Sequence, residues 1–500
     1  MTRSSHTGCI AAAVAGLAAA GLFLSACAVG PNFKSPKAPD TPGFMPPNEL
    51  PAETKATALP GGSTQRFVDG LDIQGQWWTL FQSPELDALI ERGLANNPTL
   101  EAATAALRQA RETYAAQRGA YYPSLSGSAG VQRQKAPGAA LGVPAVPSVI
   151  YTLNSATLDV SYTLDAFGGV RRQVEAQGAQ AEYQQFALEA AYLSLTANLV
   201  TAAITEASLR AQLAATQEIA DSQQKQLDIT QRRLMAGGAS RADVLQQQAI
   251  LQSTLAGLPA LRTALAQQSN LLAAYVGALP ADYTAPHFDL DSLTLPADLP
   301  VSVPSKFVEQ RPDVREFSAL LHEATAEVGV ATANMLPQIT LSASYGYEAA
   351  NVSDLFNPAG VTWGLIGSLT QPIFKGGQLR HQRRAAVAAA EQAAANYRAT
   401  VITAFQNVSD TLFALRGDAE VFAADAEAAR VAADSLALVQ AQYKSGAASY
   451  LQVLSAQQAY QSAAIALVKA RAQRYADTAA LFQALGGGWW NRSDVAAIIQ

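Results

Sequence analysis

Two stretches of the chain alternate between apolar and polar residues, as strands with one apolar face do. Apolar side chains occupy every second position in 156–165 and again in 339–348, and 125–132 and 361–370 alternate more weakly. The pattern predicts strands near 124–134, 151–166, 338–348 and 361–373. Strands of about ten residues with one apolar face fit transmembrane β-strands, although a half-buried soluble sheet has the same pattern.

Four strands cannot close a barrel by themselves. Closure takes about eight or more strands, and open strand edges are not tolerated in lipid. If these strands span a membrane, several copies of the chain must therefore pool them. Two copies would supply eight strands and three would supply twelve, so that oligomerisation follows while the number of copies stays open.

Two long helical segments accompany the strands. No proline interrupts 169–234, and roughly 65 helical residues extend ~100 Å at 1.5 Å per residue. Apolar residues recur at heptad spacing along this run, along 244–272 and along the corresponding second-half segments. The pattern predicts two antiparallel coiled-coil hairpins, with tip turns near 235–241 and 444–450.

An internal duplication relates the two halves. Residues 233–240 match 442–449, Val244-Leu245 matches Val453-Leu454, and Gly277 matches Gly486, all at an offset of 209 positions. Self-similarity at a fixed spacing is typical of repeat architectures. It predicts a first repeat over 77–290, a second over 291–486 and a tail over 487–500, each repeat with the order helix, two strands, long helix, turn and returning helix.

The N-terminus has the features of a bacterial lipoprotein signal. Arg3 precedes an apolar run from Ile10 to Leu24, and the following Ser-Ala-Cys ends in Cys27. We predict a signal peptide over 1–26, acylation of Cys27 and a lipid-anchored extended segment over 27–76. Ala28 in place of an aspartate after the cysteine favours sorting to the outer membrane.

Composition excludes several functional classes. The chain is 15% charged with a net charge of −6, and it has two cysteines and four histidines. Nucleic-acid binding is disfavoured by the acidic balance, and a zinc module or disulfide scaffold lacks its residues. His287, His322 and His381 are far apart, and the glycine-rich turns lack a phosphate-loop lysine. We therefore expect no enzyme activity, no catalytic or metal site and no cofactor beyond the lipid on Cys27.

Several motifs together resemble the outer-membrane factor (TolC-like) family, in particular the NodT-type outer-membrane lipoproteins of tripartite multidrug efflux systems. They are Cys27 to Pro36, Trp77 to Phe81, 299–305, Arg311 to Arg315 and Phe374 to Gly377. The first-repeat counterpart of the last motif, 165–169, lacks the lysine. The resemblance implies a mixed α/β channel in the outer membrane of a Gram-negative bacterium. In such a homotrimer, four transmembrane strands per chain form a 12-stranded barrel above a coiled-coil helical tunnel in the periplasm.

The resemblance also implies partners and a function. The chain would be the exit channel of a tripartite, RND-type efflux system, conducting drugs or other small toxic molecules passively from an inner-membrane pump and a periplasmic membrane-fusion adaptor. The tips would face the adaptor. The candidate docking residues are the matched turn positions Arg233, Leu234, Gly237, Ala239, Ser240, Val244, Leu245, Tyr443, Gly446, Ala448, Ser449, Val453 and Leu454.

Asp410 is a candidate channel gate. Val401, Phe405, Val408 and Leu412 form one apolar helical stripe, and Asp410 lies about 200° from Val408 on a helical wheel, away from that stripe. Symmetry would turn one aspartate into a ring that favours cations near a constricted end. The segment 405–410 resembles the family stretch that carries an aspartate gate, while a solvated surface aspartate is the competing interpretation.

Two other functions remain open at this point. The outlet of a type I protein secretion system would share the architecture. A lipid-anchored coiled-coil structural protein without a pore would share the anchor and the helices but would conduct nothing.

Overall fold

The computed structural model of the protein describes residues 28–46, 49–137 and 147–493. The predicted signal peptide 1–26, the predicted acylation site Cys27, residues 138–146 between the first two predicted strands of the sheet, and the end of the tail lie outside these residues. The chain divides into two compact units. The first contains 28–35, 108–183 and 317–397, and the second contains the remaining described residues.

The described residues form eight α-helices and six β-strands. The helices are α1 (Pro84–Asn96), α2 (Pro98–Arg118), α3 (Gly169–Met235), α4 (Arg241–Tyr275), α5 (Pro304–Gln310), α6 (Pro312–Ala333), α7 (Gln378–Lys444) and α8 (Tyr450–Ala484). The strands are β1 (Arg66–Asp69), β2 (Ser124–Ala136), β3 (Val149–Leu164), β4 (Asp298–Val301), β5 (Gln338–Ala349) and β6 (Val361–Thr370).

The duplication extends to helix length. The long helices α3 and α7 have 67 residues each, and the returning helices α4 and α8 have 35 each. The long helix and the returning helix of the second repeat each begin 209 positions after their counterparts, Gln378 after Gly169 and Tyr450 after Arg241. The two hairpins are therefore built to the same length from sequences that share few residues.

The first unit contains an antiparallel sheet with the strand order β2-β3-β5-β6. Consecutive strands pair throughout, for example Leu125 with Val160 and Tyr345 with Trp363. Many apolar side chains of this sheet are exposed in the single chain. β3 ends at Leu164, two residues before the predicted limit. β6 ends at Thr370 because Pro372 has no N–H to donate to a ladder.

The hairpin turns in the second unit have matching local chemistry. Gly237 and Gly446 have φ values of 76° and 81°, a left-handed conformation that costs other residues about 1–2 kcal/mol. Ser240 and Ser449 then cap the returning helices, and each forms a capping box with the residue three positions later. Glycine and serine together thus end one helix and begin the next within five residues.

The predicted extended segment 27–76 contains one short strand. β1 pairs in parallel with β4, and Arg66 forms an ion pair with Asp298 at 2.7 Å. The segment also contacts α8, because the buried Arg474 guanidinium donates to the carbonyl oxygens of Gly61 (2.7 Å) and Ser63 (3.1 Å). Outside β1 the described part of the segment has no helix or longer strand.

Among the described helices, α3 has the length and composition that a membrane span requires. Its most apolar 18-residue window has a mean hydropathy of 1.3, and 61% of that window is buried inside the chain. Leu199, Val200 and Ile204 are among the buried side chains of this helix. A buried core helix passes the same test, so the window is explained by packing.

Gly446 and Gly486 predict different costs for the same substitution. Both have positive φ, but a Cβ at Gly446 would meet nothing within 4 Å, whereas one at Gly486 would lie 2.5 Å from the Gln310 carbonyl oxygen. We expect Gly446→Ala to cost about 1–2 kcal/mol, and Gly486→Ala to cost more because backbone must move. Thermal denaturation of the two purified variants measures the difference, and equal melting temperatures would contradict the interpretation.

Candidate functional site

The two tip turns lie in the second unit and are open to solvent. A Cβ built on Gly237 or Gly446 would have no neighbour within 4 Å. Leu234, Ser240, Leu245 and Ser449 are also exposed, while Arg233, Ala239, Val244, Tyr443 and Ala448 are half-buried and Val453 and Leu454 are buried. The structure therefore brings the predicted docking residues together, but only part of the set is accessible to a partner.

Arg233 links the end of α3 to the end of α7. Its guanidinium carbon lies 4.5 Å from the centre of the Tyr443 ring, and its Nη2 donates to the Lys444 carbonyl oxygen at 3.4 Å. A cation over an exposed aromatic ring stabilises by about 0.5–1 kcal/mol. This contact therefore holds the two predicted tips to each other weakly.

A buried hydrogen bond makes the stronger link between the hairpins. The Tyr450 hydroxyl donates to Gln247 Oε1, and Gln247 Nε2 donates to the Gln223 carbonyl oxygen at 3.1 Å. Both side chains are buried, and burial raises the pKa of Tyr450 to about 12. The Tyr450 hydroxyl therefore stays protonated over the whole physiological pH range and keeps its proton for this hydrogen bond. Sequence reasoning missed it, because a glutamine among many exposed glutamines carries no signal of burial.

The two repeats differ in burial at matched tip positions. Leu245 is 55% exposed, whereas its counterpart Leu454 is 5% exposed. Val244 packs against the buried cluster of Ala220, Leu227 and Leu251. Two apolar residues that the sequence reasoning did not select, Met235 (80% exposed) and Leu451 (67%), are also open at the turns. The accessible tip surface is consequently more apolar than predicted.

Asp410 lies on α7, with the orientation that the helical wheel predicted. Val401, Val408 and Leu412 are buried, whereas Asp410 is exposed and accepts a hydrogen bond from Gln406 Nε2 at 3.2 Å. It lies 34 residues before Lys444, which is roughly 50 Å along a helix. The structure thus separates Asp410 from the tip turns, and a constriction at Asp410 would be a different place from the tips.

Asp410 borders a cleft of about 400 Å³. Arg311 lines the same cleft, donates to the Ala484 carbonyl oxygen at 2.6 Å and forms an ion pair with Asp313. Nearby, burial and the Asp313 carboxylate raise the pKa of Glu316 to about 7. The lining of the cleft therefore combines two carboxylates, Asp313 and Asp410, with one cation, Arg311.

Comparison with known proteins identifies this architecture. The family model described as "Outer membrane efflux protein" matches residues 89–278 and 303–487, one segment in each repeat. The chain belongs to the outer membrane efflux protein family. It is therefore an outer-membrane channel component of an efflux system, with the fold of that family.

Individual members of the outer membrane efflux family support this assignment. The chain is 29% identical over 480 residues to the probable efflux pump outer membrane protein TtgC of Pseudomonas putida, covering 95% of this chain and 96% of the relative. It is 31% identical over 434 residues to the pyoverdine export outer membrane protein OpmQ of Pseudomonas aeruginosa, covering 84% and 89%. The solved outer-membrane channel OprN superposes with a TM-score of 0.82 at 27% identity, covering 93% of this chain and all of that one.

The Tyr450–Gln247 bond predicts a local effect in this efflux channel. Tyr450→Phe leaves the buried Gln247 oxygen without its donor, which costs about 1–3 kcal/mol. We expect faster hydrogen exchange of the backbone amides near 223–247 and 443–457, at unchanged exchange in the sheet. Tyr460→Phe is the matched control, because Tyr460 is half-buried on the same helix and has no hydrogen bond in the described structure. Equal exchange in both variants would show that the bond contributes nothing to hairpin pairing.

Proposed function

We propose that the chain is the trimeric exit duct of a tripartite, RND-type efflux system, anchored by a lipid on Cys27. The inner-membrane pump and the periplasmic membrane-fusion adaptor would deliver the substrate. The chain itself would supply neither energy nor catalysis and would have no cofactor besides the lipid. Its opening would then have to be driven from outside, since a ligand shifts a conformational equilibrium only by binding the two states differently.

The open sheet edges support oligomerisation. β2 and β6 each have one neighbour only in the described four-stranded sheet. Their free N–H and C=O groups cannot remain unpaired in lipid, where each costs several kcal/mol. Pairing β6 of one copy with β2 of the next satisfies both edges, and three copies give twelve strands. The outer-membrane location of the family makes this closure necessary.

The exposed tip surface supports adaptor docking. The turns carry four large apolar side chains that remain exposed, from 37% for Leu234 to 80% for Met235, with Leu245 and Leu451 between them. Exposed apolar surface grouped in one region is typical of interaction sites. Helical hairpins that end in such residues suit a partner with its own apolar hairpin ends, as an adaptor would present.

The names of the relatives point to several different classes of substrate. Their names refer to toluene, antibiotics, pyoverdine and cations. Such different cargoes argue that the duct itself selects weakly and that the pump selects. We propose drugs or other small toxic molecules as the cargo of this chain.

Charged, bulky tips test the docking proposal. Gly237→Arg and Gly446→Arg place a long cation at open, left-handed positions of the two turns. We expect each variant to abolish efflux, measured as loss of resistance to a panel of toxic compounds in a strain that lacks the chromosomal copy. SDS-resistant trimers should persist, because the turns lie outside the sheet.

Gly257→Arg is the control for these variants. Gly257 is an exposed position of α4 without a neighbour within 4 Å, and it lies 16 residues beyond Arg241, roughly 24 Å along the helix. It should keep normal resistance. Normal efflux by the two tip variants would contradict the docking proposal, and loss of trimers would show that the tips act in assembly.

Asp410→Ala tests the gate proposal. A ring of three carboxylates favours cations, so we expect lower cation selectivity and altered conductance in planar bilayers. Asp425→Ala, on the same helix and half-buried, controls for the loss of three charges per trimer. Unchanged selectivity in the Asp410 variant would leave this residue as a solvated surface aspartate.

A further inference from the structure

The junction between β6 and α7 has a different charge from the equivalent junction of the first repeat. Residues 374–384 contain four cations and no carboxylate, namely Lys375, Arg380, Arg383 and Arg384. The matched residues 165–175 contain two arginines and two carboxylates. There, Arg171 pairs with Asp165 at 3.3 Å and Arg172 pairs with Glu175 at 2.7 Å. One copy of the junction is neutralised internally, and the other is not.

The four cations of the second junction, here called the basic collar, are exposed. Arg380 and Arg384 lie four residues apart on α7 and therefore share one helix face. Within the described part of the chain the collar has no ion pair, and Arg383 donates to the Thr332 hydroxyl at 3.3 Å. An uncompensated charge of this density indicates an anionic partner outside the chain.

Two apolar side chains stand immediately before the collar. Ile373 is 95% exposed and Phe374 is 87% exposed, on the segment that leaves β6 after Thr370. Isolated exposed apolar residues need no explanation, but here an adjacent pair directly precedes Lys375, the first of the four cations. Exposed apolar side chains directly beside a group of cations suit a lipid interface, where hydrocarbon lies on one side and phosphate on the other.

The strand register and the N-terminus place this junction at a membrane boundary. Thr370 pairs with Gln338 and Leu164 pairs with Ile339, so these strand termini lie at the same end of the sheet. Ala28, which directly follows the predicted acylated Cys27, lies at that end as well, since a Cβ built on Gly168 would be 2.5 Å from the Cα of Ala28. The Val29 N–H donates to the Phe167 carbonyl oxygen at 3.0 Å. The lipid anchor would therefore emerge at the level of the collar.

We infer that the basic collar binds the headgroups of anionic phospholipids in the periplasmic leaflet of the outer membrane, with Ile373 and Phe374 in the acyl region. Charge complementarity and continuity with the membrane-spanning sheet select this occupant over a second copy of the chain. The collar would fix the height of the barrel in the membrane. It would act at the same end of the sheet at which Phe167 binds the segment that follows the predicted lipid anchor. The inference uses the outer-membrane location of the family and does not depend on adaptor docking or on the gate.

Lipid titration of the full-length, acylated protein in detergent tests the inference. Native mass spectrometry counts dioleoyl phosphatidylglycerol or dioleoyl phosphatidylcholine bound at each concentration. Each cation near an anionic surface contributes a factor of about five in affinity. The double variant Arg380→Gln/Arg384→Gln should therefore bind phosphatidylglycerol roughly 25-fold more weakly and phosphatidylcholine as before. Raising the salt from 50 to 500 mM should weaken phosphatidylglycerol binding to the wild type more than binding to this variant, which keeps only two of the four cations.

Two further variants keep the result interpretable. Arg398→Gln/Lys469→Gln removes two exposed cations away from the junction and should keep the wild-type preference within about twofold. Arg380→Lys/Arg384→Lys retains the charge and should retain the preference. An unchanged preference in the double glutamine variant, or an equal loss in the distant control, would overturn the inference. Loss of trimers with unaltered lipid preference would overturn it as well and would assign the collar to contacts between copies.

Discussion

The structure depends on one requirement, namely that every backbone hydrogen-bonding group of the sheet finds a partner where water is absent. A four-stranded sheet leaves two edges, β2 and β6, without neighbours in the described chain. Each copy therefore contributes one segment of a closed barrel, and apolar side chains such as Leu125 and Leu365, exposed in a single chain, need lipid or a neighbouring copy. This requirement explains the high apolar content of a chain with only 15% charged residues, because apolar side chains that are exposed in one copy are covered in the assembly.

The duplication has kept backbone geometry and relaxed side-chain roles. Both hairpins have long arms of 67 residues and returning arms of 35, and both turns use a left-handed glycine followed by a capping serine. The matched side chains have diverged all the same. Leu245 is exposed where Leu454 is buried, and Glu175 pairs with an arginine where the second repeat has Arg384. The two halves thus share a framework while facing different surroundings.

The features that sequence reasoning predicted are those that local chemistry determines. Strand alternation, the uninterrupted run after Gly169, and the Gly237 and Gly446 turns are visible in single segments, and the fold class they imply is confirmed by the family assignment. Tertiary pairing was not accessible in the same way. Nothing local distinguishes Gln247 from the exposed glutamines around it, and only the three-dimensional structure shows that Tyr450 reaches it. The gate at Asp410 remains a prediction: its helix face was predictable, but its distance from the tips depends on how much helix follows it.

The equal helix lengths of the two repeats constrain how such a chain can change. One residue inserted into α3 would advance its turn by about 1.5 Å and rotate everything beyond by about 100°, which would misalign Arg233 with Tyr443 and Gln247 with Tyr450. The same insertion in α7 would restore the height only if it occurred at an equivalent place. Insertions and deletions in these helices should therefore be tolerated in matched pairs and in multiples of the heptad. The contacts between the two hairpins thus limit which changes of length the gene can accept.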